Sequence, residues 1–364
     1  MLACLLGTAV SGSASAGFAD LYSEKCYTPA TLSDGGVAAV SKNVEVSSRI
    51  YELFFGGKRK DDEAIMLYPG GSAFGLIINE DGVSVTSGSS SRVLLVGDRI
   101  LKVNGKDVHE CSEVEDAVKN SGGKKLELEI IRGGEILNVT AVPKLCDGVY
   151  KLGVNLRAHT AGIGTVTFID PETLAFGGLG HGVSAADGTG YVSVRSGTVN
   201  SVTLGGCKKG EVGHAGELTG VLKQATLGSI AKNSECGVFG TLDTLPDYCD
   251  KLMPAAKSNE VKCGAAQIIS TVKNGKRGIF NVEIKDVDYS STGSKSFKIK
   301  VTDPTLIALT GGIVRGMSGS PIIQDGKLVG AVTHVMVADP TEGYGIFIEN
   351  MLNAAESQVQ QKAA

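Results

Sequence analysis

The run Gly316-Met317-Ser318-Gly319-Ser320-Pro321 sets one serine among small residues, and a serine so placed can act as a nucleophile. Its hydroxyl needs a neighbouring base, a group that orients the base, and amide donors for the oxyanion formed on attack. Gly316 and Gly319 carry no Cβ, so the chain around Ser318 can take the tight conformation that aims successive N–H groups at one point. The same string also suits an ordinary turn in which Ser318 satisfies local backbone. The base and its orienter therefore have to be sought elsewhere.

Five histidines are available: His109, His159, His181, His214 and His334. His181 stands between Gly180 and Gly182, which leave its ring accessible and the chain free to turn. His334 competes, but it ends the apolar run that starts at Leu328, where a hydrogen-bonded structural histidine is the commoner outcome. His109 falls beside a helical pattern, and His159 and His214 read as surface or loop residues. Among the carboxylates, Asp303 follows Phe297-Lys298-Ile299-Lys300-Val301-Thr302, so a strand would deliver it to a fixed point, with Pro304 ending the pairing. Asp187 is the rival; close behind His181, it could equally hold its own loop.

The elements that must position these residues are mainly β. The 364 residues include fifty glycines and no tryptophan, a balance that favours short strands and tight turns over long helices. A chain of this length has room for two cores. The net charge of −4, with lysines and glutamates interspersed, provides no basic field and excludes nucleic acid as the expected partner. Eight cysteines are present with no Cys-X-X-Cys spacing, which disfavours zinc, and neither a metal nor a cofactor is expected. The cysteines between Cys207 and Cys263 suit either disulfides of an exported chain or small buried hydrophobes.

Residues 1–19 read as a signal peptide or a truncated membrane anchor: an apolar run from Met1 to Val10 precedes Ser13-Ala14-Ser15-Ala16, which has the small-x-small form of a signal-peptidase site. Residues 20–62 form a linker region. From 63 to 145 the pattern is a compact module. It has a strand at Ile65-Met66-Leu67-Tyr68, a second from Ala73 to Ile78, an Asn104-Gly105 turn, a helix beginning at Ser112 with Glu115 in the capping-box position, and a hairpin at Arg132-Gly133-Gly134-Glu135. Residues 150–355 form a second unit of short strands separated by glycines, closing on a helix over 348–358, and 356–364 is a polar tail.

The module over 63–145 resembles a PDZ domain, most specifically in Val96-Gly97-Asp98-Arg99-Ile100-Leu101-Lys102-Val103-Asn104-Gly105. Such domains take an extended peptide as an added strand and hold its end on loop amides. The resemblance places those amides at Ser72, Ala73, Phe74 and Gly75, although the loop of the family appears here only as Ala-Phe-Gly-Leu.

A second resemblance spans about residues 64–352. Gly177-Gly178-Leu179-Gly180-His181-Gly182, Val301-Thr302-Asp303-Pro304, and the stretch from Thr310 through Gly316-Met317-Ser318-Gly319-Ser320-Pro321 to Ile323 look like the stage IV sporulation protein B peptidases, as do Gly330 to Val335 and Gly343 to Leu352. That family implies a trypsin/chymotrypsin-like double β-barrel after the PDZ-like domain, with Ser318 as nucleophile, His181 as base and Asp303 as orienter, in the His, Asp, Ser order of that fold. It implies an oxyanion hole at Gly316 and Ser318, and support of the serine region by Thr333. It also implies cleavage of a membrane-bound sporulation regulator and of the enzyme itself, in the space between forespore and mother cell, leading to processing of a late sigma factor. Two other readings compete: a PDZ-based scaffold without catalysis, and a general extracytoplasmic quality-control serine protease, whose domain order would be the reverse.

Overall fold

The computed structural model describes residues 64–88, 91, 93–185, 188, 190–273 and 275–356. The expected signal segment, the whole of the linker, the tail beyond Glu356, and Asp187 lie outside the described residues. In chain order, β1 (Met66–Pro69) and β2 (Ala73–Ser87) come first. They are followed by β3 (Arg99–Val103), β4 (Lys106–Asp107), helix α1 (Cys111–Asn120), β5 (Leu126–Arg132), β6 (Glu135–Ala141), β7 (Lys144–Cys146) and β8 (Val149–Lys151). Next are β9 (Asn155–Ile169), β10 (Ala175–Gly178), β11 (Ser196–Lys208), β12 (Glu217–Ser234), β13 (Gly237–Leu242) and β14 (Met253–Pro254). The last group is β15 (Gly264–Lys273), β16 (Lys276–Val287), β17 (Phe297–Val301), α2 (Pro304–Thr310), β18 (Pro321–Gln324), β19 (Lys327–Met336), β20 (Asp339–Phe347) and α3 (Ile348–Glu356).

Two antiparallel barrels result, and the mainly β expectation holds. The first runs β2-β9-β10-β13-β12-β11 and closes because β2 also pairs with β11. Its core holds Phe74, Leu76, Ile78, Val166, Phe176 and Val199, with the Phe74 and Phe176 rings edge to face at 5.9 Å. The second is a closed barrel, β15-β16-β17-β20-β19-β18. Alternation builds it: in β17, Phe297, Ile299 and Val301 point into the core while Lys298 is exposed. Helix α3 seals the seam between the barrels, where Met351, Leu352 and Ala355 pack with Phe168 and Phe239 of the first and Leu328 and Ile346 of the second.

The PDZ-like unit grows out of the first barrel. Strands β2 and β9 are each 15 residues long and run through both. Asn79 pairs with His159 and Ser84 with Arg157, so β2 makes an excursion between the barrel half and the PDZ half. Beyond it, Val83 and Val85 join Ile100, Val103, Val114, Val118, Leu128 and Ile130 in a separate core. The Asn104-Gly105 turn is present, both residues having positive φ (51° and 76°) as a two-residue hairpin between β3 and β4 requires. Arg132 and Glu135 close the β5–β6 hairpin. The Gly-Asp-Arg part of the motif owes its character to Asp98, fully buried and gripped by Arg132 through two bonds of 2.6 Å, while its Oδ2 also accepts from the Leu95 N–H.

Three expectations are corrected here. Helix α1 starts at Cys111, not Ser112, because the Glu113 carboxylate reaches back to the amides of His109 (2.6 Å) and Glu110 (2.9 Å) and fixes the first turn two residues earlier than Glu115 would. Residues 66–79 belong to the first barrel and its seam, not to the PDZ-like module: β1 pairs with β9 and β14, and the first half of β2 lies between β9 and β11. In consequence Ser72, Ala73, Phe74 and Gly75 are no carboxylate cradle. The Ser72 carbonyl accepts from Val166, Phe74 is core, and Gly75 pairs with both Ile163 and Asn200. The cysteines Cys111, Cys146, Cys207, Cys236, Cys249 and Cys263 are all free thiols. Among the described residues no helix is long and apolar enough to cross a membrane.

Candidate active site

Ser318 sits on the turn from Arg315 to Ser320 that leads into β18 of the second barrel. Gly316 and Gly319 have φ of 96° and 94°, a region that favours glycine, and a Cβ on Gly319 would fall 2.0 Å from the Thr165 carbonyl oxygen. Met317, between them, is fully buried in the second core and anchors the turn. Strand β9 of the first barrel grips it from the other side. The Thr165 N–H donates to the Ser318 carbonyl (2.9 Å), Thr165 Oγ1 to the Gly316 carbonyl (2.8 Å) and Thr167 Oγ1 to the Gly319 carbonyl (2.8 Å). The Gly319 N–H is taken by Val332. The N–H groups of Gly316 and Ser318 make no hydrogen bond within the described residues, which leaves two main-chain donors beside the serine for an incoming carbonyl.

His181 approaches from the first barrel. Strand β10 ends at Gly178, and Leu179 and Gly180, both with positive φ (65° and 66°), turn the chain towards the second barrel. There a Cβ on Gly180 would lie 2.9 Å from the Thr333 methyl and 3.4 Å from Ala331. Asn233 fastens the loop after the histidine: its Oδ1 accepts from the Val183 N–H (2.8 Å) and its Nδ2 donates to the carbonyls of Val183 and Val192. His181 Nδ1 lies 3.0 Å from the Gly182 carbonyl, which can only accept, so this nitrogen carries the proton and Nε2 keeps its lone pair. Burial holds the His181 pKa below the ordinary histidine value, and the neutral ring is the form a general base needs.

The candidate nucleophile is latched. Ser318 Oγ donates to the Thr333 carbonyl at 2.7 Å, not to His181. Thr333 is itself fixed, its Oγ1 donating to the carbonyls of Ser294 (2.8 Å) and Tyr344 (3.2 Å). The competing histidine, His334, comes next in the chain and its ring lies against His181, tilted, with centroids 4.8 Å apart. Burial, then the neighbouring His181 and Lys295, push the His334 pKa down to about 4.

Asp303 is a correction. It does not meet His181: its Oδ1 accepts from the amides of Thr305 (2.9 Å) and Leu306 (3.1 Å), and its Oδ2 from the amide of Asn281 (3.3 Å). It is the N-cap of α2, with Pro304 at the first helical position. The physical reason is local: both carboxylate oxygens are taken up by main-chain amides at the start of α2 and on β16. Sequence reasoning missed Thr165, Thr167 and Asn233. Thr165 and Thr167 left a trace as polar residues at alternate places in the apolar run Val166-Thr167-Phe168-Ile169, both fully buried in the fold. Asn233, in a polar stretch, left none.

The family model for the SpoIVB peptidase S55 matches residues 148–352, and one for a PDZ domain matches 94–132. A protein of Lactococcus lactis subsp. lactis (strain IL1403), named as a zinc metalloprotease, is 32% identical over 92 residues, which are 25% of this chain and 20% of that protein. Among solved structures, the HtrA-type protease AlgW with a tripeptide is 12% identical, covers 56% of this chain and 57% of its own, and superposes with a TM-score of 0.34. The active form of the Rv3671c protease from M. tuberculosis is 12% identical, covers 53% and 72%, and has a TM-score of 0.31.

Proposed function

The chain belongs to the SpoIVB peptidase S55 family and is a serine peptidase, and from that premise we propose that Ser318 is its nucleophile, His181 its general base, and the Gly316 and Ser318 amides its oxyanion hole. The observation that carries this reading is that one dipeptide of the second barrel meets both residues: the Thr333 carbonyl receives Ser318 Oγ, the His334 ring lies against the neutral His181 of the first barrel, and two main-chain N–H groups beside Ser318 are unengaged. Catalysis starts when Ser318 Oγ rotates off the Thr333 carbonyl and donates to His181 Nε2. As Oγ bonds to the peptide carbonyl carbon, its proton passes to Nε2 and the carbonyl electron pair moves to the oxygen, held by the two amides. The tetrahedral intermediate collapses, Nε2–H protonates the leaving amine, and water hydrolyses the acyl-enzyme by the same steps. The Gly182 carbonyl holds the tautomer, and Thr333 holds the serine region.

The substrates we propose are the enzyme itself, within residues 17–60, and a membrane-bound sporulation regulator whose cleavage triggers processing of a late sigma factor. The site of action is the space between forespore and mother cell. The family and the signal-like N-terminus support this reading. A peptide partner docks as an added strand on β9 from Asn155 to Ala158. Among the described residues that edge has β2 alone as a strand neighbour. The experiment mixes wild-type enzyme with full-length S318A protein as substrate. Trimming of the S318A chain between residues 17 and 60 supports the reading, and an intact chain after prolonged incubation overturns the self-cleavage part of it.

A further inference from the structure

Among the described residues no acidic group holds His181. Its Nδ1 is committed to the Gly182 carbonyl, and a ring tied at one nitrogen can still tilt, because the torsion that turns an imidazole plane is broad. Something else has to fix the direction in which Nε2 points. The surface in contact with the ring is His334, with centroids 4.8 Å apart and planes inclined by 37°. His334 is well placed to do this. It stands in β19 directly after Thr333, whose hydroxyl is bonded twice and whose carbonyl receives Ser318 Oγ, so one dipeptide touches both members of the catalytic pair. His334 Nδ1 is buried and makes no hydrogen bond, so what this residue offers His181 is the face of its ring.

We propose that His334 is a positioning residue, whose ring sets the tilt of His181 so that Nε2 meets the Ser318 hydroxyl on its release from Thr333. This inference rests on the reading of Ser318 as nucleophile and His181 as base. Because burial and the proximity of His181 keep His334 uncharged, the imidazolium formed on His181 during acylation faces a neutral ring and not a second cation. Among the described residues the other charged or titratable groups around the pair are few. Lys295 sits over the Tyr344 ring at 5.1 Å and opposes charge on His334. Tyr191 packs on Gly182, with Glu235 beyond it.

The test compares His334→Ala and His334→Phe with wild type by kcat, KM and the pH profile of kcat/KM. Loss of the ring in His334→Ala lowers kcat by about 10- to 100-fold through misorientation, with KM within about twofold. It also admits water to His181, whose pKa rises towards the ordinary value, so the acid limb of the profile moves to higher pH. His334→Phe restores a ring face without nitrogens and brings kcat back to within about threefold of wild type, with the acid limb in its original place. The inference is overturned by a folded His334→Ala enzyme with wild-type kcat and acid limb, or by a folded His334→Phe enzyme as impaired as the alanine variant, which would assign the role to a nitrogen. Should His334→Ala fail to fold, His334→Phe decides alone. Labelling of wild-type Ser318 by a fluorophosphonate separates the two levels: a labelled serine with unaffected His334 variants refutes only this inference, whereas an unlabelled one refutes the reading beneath it.

Discussion

Replacing Asp303 by asparagine and by alanine distinguishes a structural from a catalytic carboxylate. The Asp303 carboxylate accepts three hydrogen bonds, all from main-chain amides: Thr305 and Leu306 at the start of α2, and Asn281 on the neighbouring strand β16. Asparagine keeps the oxygen that caps the helix and loses only the acceptor for Asn281, the longest of the three at 3.3 Å. It is among the best N-cap residues, so the change costs about 1 kcal/mol or less. Alanine removes all three acceptors and costs about 1–3 kcal/mol, combining loss of the cap with an unsatisfied amide. Helix α2 carries Leu306 and Thr310 into the core below the nucleophile turn, so its fraying in Asp303→Ala loosens the site as well as the fold. The assay pairs urea denaturation with kcat/KM on a peptide substrate. The structure predicts Asp303→Asn within about threefold of wild type, and Asp303→Ala impaired roughly in step with its stability. An orienting aspartate behaves otherwise, since its asparagine variant loses about 10⁴ in kcat from the wrong histidine tautomer. A folded Asp303→Asn protein with a loss of that size would refute the reasoning and return Asp303 to the catalytic group.

Other outcomes follow from the same contacts. Thr165→Val keeps the shape of the side chain but leaves the Gly316 carbonyl without its donor; stability falls by about 1–3 kcal/mol and kcat by about tenfold with KM little changed, as denaturation and steady-state kinetics will show. Arg132→Met strands the buried Asp98 carboxylate and costs about 3–5 kcal/mol in thermal unfolding; a loss under about 1 kcal/mol would contradict the pairing. The His334 pKa of about 4 lies below its unfolded value, so the unfolded chain takes up the proton first. Its contribution is fully present above about pH 6.5 and is lost as the pH falls towards 4. Urea midpoints measured across that window should fall less steeply for His334→Phe than for wild type.

Much of this architecture was legible in the chain. Short-range signals served well: Asn104-Gly105 can make a two-residue hairpin because of its own conformational preferences, and Phe297 to Val301 alternates because one face is core. Gly316 and Gly319 announced a turn that needs positive φ. Where the sequence misled, the deciding partner was distant. Residues 66–79 read as strands, but nothing local says that they pair with β9 and β11 and so belong to a barrel. Asp303 followed by Pro304 carries the signature of a helix start as much as that of a strand end, and in the fold it serves both, following β17 and capping α2. The gripping of the nucleophile turn by Thr165 and Thr167 spans about 150 residues of chain and is invisible without the fold.

The central claim is that Ser318 is the nucleophile served by His181, and mass-spectrometric mapping of a fluorophosphonate adduct on the full-length protein tests it most directly. The adduct is predicted on the peptide containing Ser318 in wild type, at a much reduced rate in His181→Ala and not at all in Ser318→Ala, which also loses peptide cleavage while unfolding at the wild-type urea midpoint. An adduct on another serine, or a folded Ser318→Ala protein that still cleaves the peptide, would contradict it.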